Sequence, residues 1–188
     1  MTLRIEGYAI VSEDGMLADA AGVMPPSLVV EADQQFLASG LDRADILVHG
    51  RHSHENQPQS PTRRRLIVSR TVETLGPTDF PNAVLWNPAG LPLEQAMEAV
   101  DVEGGIVAVL GGTEVFGLFL PRYDAFYLSR AKGVKLPGGR PIFPRVPAST
   151  PEDVLAASGL VAGAQQTLDA EREATLVAWE RPANLTES

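Results

Sequence analysis

The stretch VAVLGGTEVFGLFLP, residues 107–121, decides how the chain is read. It is a buried strand that ends in Gly111-Gly112 and turns at once into a helix, Thr113–Phe119. Two glycines let a backbone pass close to a ligand. The helix start behind them offers free N–H groups and the positive end of a dipole, which suits a pyrophosphate. Gly111, Gly112, Thr113, Glu114, Val115 and Phe116 are therefore candidate ligand contacts. A strand-to-helix turn with no ligand is the plain alternative. The Gly-Lys-Ser/Thr ending of a P-loop is absent.

Working outward, five more short strands are expected at Leu3–Val11, Asp45–His49, Arg65–Ser69, Ala83–Trp86 and Ala125–Ser129, beside Gly105–Leu110 itself. The runs ILV, LIV, AVLW and IVAVL are continuous rather than alternating, which points to a sheet covered on both faces. Helices are expected between them. Glu31–Leu41 carries Phe36, Leu37 and Leu41 on one side, and Leu93–Val100 repeats apolar residues at helical spacing. Thr150-Pro151-Glu152-Asp153 has a cap, a proline at the first position and acids in the first turn, and Gly159 ends that helix. Leu160–Pro182 reads as two long strands around a turn near Asp169–Glu173. The expected fold is α/β: one domain over residues 1–188, with a mixed, mostly parallel central sheet flanked by helices on both faces and a C-terminal β-hairpin.

Two further strands end in groups suited to anions. ADILVHGRHSHE, residues 44–55, runs from a buried strand into Gly50, Arg51, His52 and Ser53. RLIVSR, residues 65–70, ends in Ser69-Arg70. Ligands of open α/β sheets bind at such strand ends, and three anion-ready features there fit a phosphorylated dinucleotide. His52-x-His54 would ligate a metal if extended, but no third ligand with typical spacing is evident unless His49 turns round, and no metal is expected.

With 188 residues, a chain of this length buries about 70% of its unfolded surface without staples. There are no cysteines, which excludes disulfides, thiolate catalysis and iron–sulfur ligation. No signal peptide and no membrane span are expected, and a cytoplasmic location fits. The net charge of −9 repels nucleic acid. Positive charge is local: Arg51, Arg63, Arg64, Arg65 and Arg70 share a segment whose only acid is Glu55. That segment is either a solvated face or a site for a small anion. Arg64 and Arg65 alternate along a strand, so at least one is expected at the surface.

In this order the segments resemble the dihydrofolate reductase superfamily, which includes the reductase domain of the bifunctional riboflavin-synthesis enzyme. The resemblance covers nearly the whole chain. Met24-Pro25 looks like the start of the family's mobile loop, and Ala32-Asp33 with Phe36-Leu37 like its acidic helix. Gly50-Arg51-His52-Ser53 resembles the cofactor motif, Pro61-Thr62-Arg63 the segment before the next strand, and VLGGTEVFGLFLP the glycine turn. Tyr127-Leu128-Ser129, GGRPIFP at 138–144 and Leu168-Asp169…Trp179-Glu180 complete the series. The chain departs from the family where Pro26 replaces a tryptophan, Thr113 a third glycine and Glu114 an arginine. Ser12-Glu13-Asp14-Gly15 looks closer to the riboflavin-type members.

The resemblance implies an NADPH-dependent reductase of a pterin-like or pyrimidine-like small molecule, with dihydrofolate leading. A riboflavin-pathway type reduction of a phosphorylated ribosylaminopyrimidine is the alternative, as is a cofactor-binding protein without catalysis. It implies Asp33 and Ser129 as catalytic residues and Met24, Leu37 and Arg63 as substrate contacts, Arg63 through a carboxylate or phosphate. Arg51 and Arg70 would meet the cofactor's extra phosphate, assisted by His52 and Ser69. A homodimer is the assembly to test. The residues themselves favour Asp33 over Glu31. Two positions on a helix are about 200° apart, and Asp33 shares its side with Phe36, Leu37 and Leu41, where an acid is expensive without a partner. A first-turn acid that only complements the helix dipole is the plainer reading.

Overall fold

The structure is a computed structural model that describes residues 2–183. Its strands are β1 (Leu3–Ser12), β2 (Met16–Ala18), β3 (Ile46–Gly50), β4 (Arg65–Val68), β5 (Leu75–Gly76), β6 (Ala83–Trp86), β7 (Gly105–Val109), β8 (Ala125–Ala131), β9 (Arg140–Pro141), β10 (Val161–Asp169) and β11 (Ala174–Glu180). Its α-helices are α1 (Glu31–Arg43), α2 (Leu93–Glu98), α3 (Thr113–Leu118) and α4 (Pro151–Ala157).

Nine strands form the central sheet in the order β10-β11-β8-β1-β7-β3-β4-β6-β5. The strands from β8 to β6 run parallel. β5, β11 and β10 add antiparallel edges. This is the expected mixed, mostly parallel sheet with its C-terminal hairpin. A second, two-stranded sheet joins β2 to β9. Elements of two or three residues carry no readable period, so neither β2, β9 nor β5 is visible in the sequence pattern.

The side-chain alternation of the strands separates two cores. Ile5, Ile46, Val48, Val107 and Val109 face one way, onto α2, α3 and α4 through Met97, Phe116 and Leu155. Tyr8, Leu47 and Ala108 face the other way, onto Leu41, Phe36 and Leu37 of α1. The continuous apolar runs thus serve both layers. Gly40 lets α1 close on the sheet, because a Cβ there would lie 2.6 Å from the Tyr8 ring. α4 begins as its sequence dictates, with Thr150 Oγ1 accepting from Asp153 N at 3.0 Å. Trp86 and Trp179 are both core residues.

The terminal hairpin differs in burial from the rest. β11 is packed against β8, but β10 is exposed from Val161 to Thr167. Its register with β11 shifts between Ala162 and Gln165 and again between Thr167 and Asp169.

Candidate functional site

A cleft of about 1460 Å³ opens along the C-terminal ends of the parallel strands β1, β3, β4, β7 and β8. Strand order reverses there, since β7 returns between β1 and β3 and β8 lies on the far side of β1. Such switch points are where open α/β sheets leave room for ligands.

One wall is apolar and carries a single acid. Tyr8 and Tyr127, on neighbouring strands, stack with ring centroids 4.9 Å apart, and Phe36 from α1 meets Tyr127 edge-on at 5.3 Å. Asp33, one turn before Leu37, enters this wall and is 6% exposed. Ser129 faces it from β8, in register with Ile10 of β1. Burial pushes the Asp33 carboxyl above its ordinary value, and the Ser129 hydroxyl pulls it part of the way back. No arginine or lysine pairs with Asp33 among the described residues. Glu31 turns outward and takes a bond from Gln35 Nε2 at 3.3 Å. Met24, with Gly22 and Val29, forms an exposed lip of the cleft.

The other wall is glycine and cation. Gly50 N donates to the Gly111 carbonyl at 2.6 Å, which ties the end of β3 to the glycine turn. The Gly111–Gly112 peptide is cis. Gly111 has φ +96°, and a Cβ on it would sit 2.6 Å from the Phe116 ring. Gly112 faces outward instead, and a Cβ there would approach Ser53 Oγ to 3.2 Å. Gly50, Gly112 and Ser53 line the cleft together, and a Cβ on either glycine would intrude among them. Arg51, His52 and Arg70 line the cleft beside them, exposed and without ion-pair partners among the described residues. The donor set therefore fits a phosphorylated dinucleotide. Thr113 and Glu114 line the same wall. Val115 and Phe116 reach it from α3 with side chains packed into the core. Ser69 is buried, its hydroxyl 2.7 Å from Thr71 Oγ1.

Arg63 lies elsewhere. Instead of facing the cleft, it donates to Asp42 Oδ1 at 2.8 Å, Gln57 Oε1 at 2.8 Å and Glu55 Oε1 at 3.1 Å. The residue that the resemblance makes a substrate contact thus has its guanidinium taken up by three internal acceptors.

The basic segment divides: Arg51 and Arg70 line the cleft, whereas Arg63 and Arg65 turn inward. Arg64 is at the surface, but Arg65 is fully buried. It forms a forked pair with Glu55, Nη1 to Oε2 at 2.8 Å and Nη2 to Oε1 at 3.0 Å. Phe80 covers the guanidinium, 4.4 Å from ring centroid to Cζ. Burial alone would raise the Glu55 carboxyl, but Arg65 outweighs it and holds the group below its ordinary value. His49 completes the cluster. Its Nδ1 lies 2.7 Å from the Gly50 carbonyl and its Nε2 3.1 Å from Arg65 Nη1. Arg65 can only donate, so Nε2 accepts and Nδ1 carries the proton. Both ring nitrogens are engaged, and His49 does not turn to join His52 and His54 on a metal. Burial, with Arg65 adding to it, depresses His49 to about 4.

Arg140, on β9, is a cleft cation that the sequence reading passed over. Its guanidinium reaches the lip at Gly22, where a Cβ would lie 3.5 Å from Nη2.

No protein-family profile and no curated protein matches the chain. Solved structures do. A riboflavin biosynthesis protein from Shewanella sp. PV-4 superposes with TM-score 0.65 at 18% identity, over 96% of this chain and 100% of that one. Dihydrofolate reductase from Enterococcus faecalis, complexed with NADP(H) and RAB-propyl, gives 0.65 at 15% identity over 96% and 97%. A diaminohydroxyphosphoribosylaminopyrimidine deaminase/5-amino-6-(5-phosphoribosylamino)uracil reductase from Thermotoga maritima gives 0.66 at 12% identity, over 96% of this chain and 57% of that one. Likeness at 12% to 18% identity speaks for architecture. Sheet order, cleft position and these superpositions together show that the chain has the dihydrofolate reductase-like fold.

Proposed function

We propose that the chain is an NADPH-dependent reductase of a flat nitrogen heterocycle. The observation that carries this reading is the buried, unpaired Asp33 in an aromatic wall, across one cleft from the glycine and arginine wall. A nicotinamide cofactor, when bound, supplies the hydride. The backbone at Gly50 and Gly112, with Ser53, holds its pyrophosphate. Arg51 and Arg70 pair with the extra phosphate of NADPH, and Glu114 nearby opposes them. Tyr8, Phe36 and Tyr127 present an apolar surface to a ring and keep water off it. Asp33 accepts the ring's N–H donors. Its raised affinity for a proton suits it to hold one for the nitrogen of the C=N bond whose carbon takes the hydride, with Ser129 orienting the carboxyl.

Arg140 favours a phosphorylated aminopyrimidine over dihydrofolate. Arg63 is committed internally and leaves the carboxylate tail of a folate without its expected cation. Arg140, exposed at the lip and without an ion-pair partner among the described residues, suits a phosphate on a smaller substrate. The deciding experiment follows NADPH absorbance with dihydrofolate and with a ribosylaminopyrimidine phosphate. Arg140→Ala should raise KM for the phosphorylated substrate alone. NADPH binding with no oxidation by either compound would replace this reading with cofactor binding without catalysis.

A further inference from the structure

Between Arg51 and Asn56 the chain has no regular secondary structure, and among the described residues one backbone–backbone hydrogen bond holds it, from Ser53 N to the Gly50 carbonyl at the end of β3, 3.2 Å. A segment so poorly tied by its backbone depends on side chains for its place. Glu55 supplies the tie. Its carboxylate is bound by both terminal nitrogens of the buried Arg65 and by Arg63 Nη1. Ser60 Oγ adds a bond to the Glu55 carbonyl at 3.1 Å. Arg65 is itself anchored in β4 and bonds the Ser60 carbonyl at 2.7 Å. Arg63 carries the connection on to Asp42 of α1, the helix that also bears Asp33.

We infer that Glu55 is a positioning residue: locked on the buried Arg65, it sets Arg51, His52 and Ser53 against the cleft. The inference rests on the proposed function in one respect, that Arg51–Ser53 contact the cofactor. A forked, charge-assisted bond suits the task because it fixes direction as well as distance. A surface ion pair would not hold a loop in this way, since its partners wander at little cost.

Two readouts on Glu55→Gln test it. The first is NADPH affinity, by fluorescence titration, in the wild type, Glu55→Gln, Arg51→Ala and the double variant. Glu55→Gln should weaken binding on the order of ten-fold, the scale of one charged hydrogen bond. Arg51→Ala should cost at least about three-fold less in the Glu55→Gln background than in the wild type, because neighbours that act together are not additive. Multiplicative costs would show that Glu55 does not act through Arg51 and would overturn the inference. The second readout needs no cofactor. Trypsin under native conditions should cut after Arg51 roughly ten-fold faster in Glu55→Gln, while cleavage after Arg172 in the distant hairpin is unchanged. Equal cleavage after Arg51 in both proteins would also overturn the inference. If the wild type binds no NADPH, the cofactor reading falls, and the trypsin result still decides whether Glu55 holds the loop. A buried arginine left without its carboxylate can prevent folding. In that event the paired variant Glu55→Gln with Arg65→Gln, which buries no lone charge, takes the same two measurements and answers to the same outcomes.

Discussion

Lowering the pH from 7 to 5 should destabilise this protein through one residue, His49. Its ring is 1% exposed, its Nδ1–H is given to the Gly50 carbonyl and its Nε2 accepts from Arg65. A proton added at Nε2 would face a guanidinium with nowhere to go. The folded chain therefore holds His49 neutral down to about pH 4, whereas in the unfolded chain it titrates near 6.5. Between those values the unfolded state binds the extra proton. Stability from this group is fully present above 6.5 and is lost as the pH falls through the window. At pH 5, against pH 7, the loss is about 2 kcal/mol. For a chain of this size that is about 4–8 °C in Tm. Circular dichroism melts and urea titrations at pH 5, 6 and 7 would measure it, in the wild type and in His49→Gln. Glutamine can still accept from Arg65 but does not titrate. The variant should be less stable at pH 7 and should change much less between pH 7 and 5. Equal pH slopes in the two proteins would refute the reasoning.

Asp33→Asn should leave NADPH affinity nearly unchanged and lower turnover on the order of 10²- to 10⁴-fold, in steady-state assays with a parallel Glu31→Gln control. Because burial raises Asp33, its unfavourable charge weighs on the fold as the pH rises through the folded value, so Asn should stabilise the protein at neutral pH; a Tm below wild type would contradict that sign. Gly112→Val should abolish NADPH binding with the fold largely kept, while Gly111→Ala, which meets Phe116 at a positive φ, should lower Tm, by titration and melt respectively. Arg51→Ala should weaken NADPH more than NADH, since only one of them carries the extra phosphate; equal losses for both cofactors would remove the specificity assigned to Arg51.

The buried strands and the glycine turn were legible because continuous apolar runs and a strand-to-helix glycine pair are local signals. The burial of Asp33 was legible because helical spacing sets it on the side of Phe36, Leu37 and Leu41. The cluster beneath the cleft was not. Alternation along β4 says that Arg64 and Arg65 face opposite ways, but not that Arg65 is buried. That depends on Glu55 arriving from an irregular loop, and loops of that kind have no period to read. The internal setting of Arg63 was hidden for the same reason, since its acceptors Asp42, Gln57 and Glu55 come from a helix end and a loop. Arg140 sits on a two-residue strand whose partnership with β2 is visible only in space.

The last strand of the sheet bears on what the molecule does in a crowded solution. From Val161 to Leu168, β10 carries no charge and no proline, and its outer edge has no neighbour among the described residues. Such an edge is a template on which further strands can grow. What spoils the template is the irregularity at Gly163-Ala164 and again at Leu168, where two shifts of register bend the ribbon and break the even row of amides and carbonyls. An added strand would find runs too short to zip along. Removing both irregularities would leave the cleft residues in place and yet turn a harmless rim into an adhesive one.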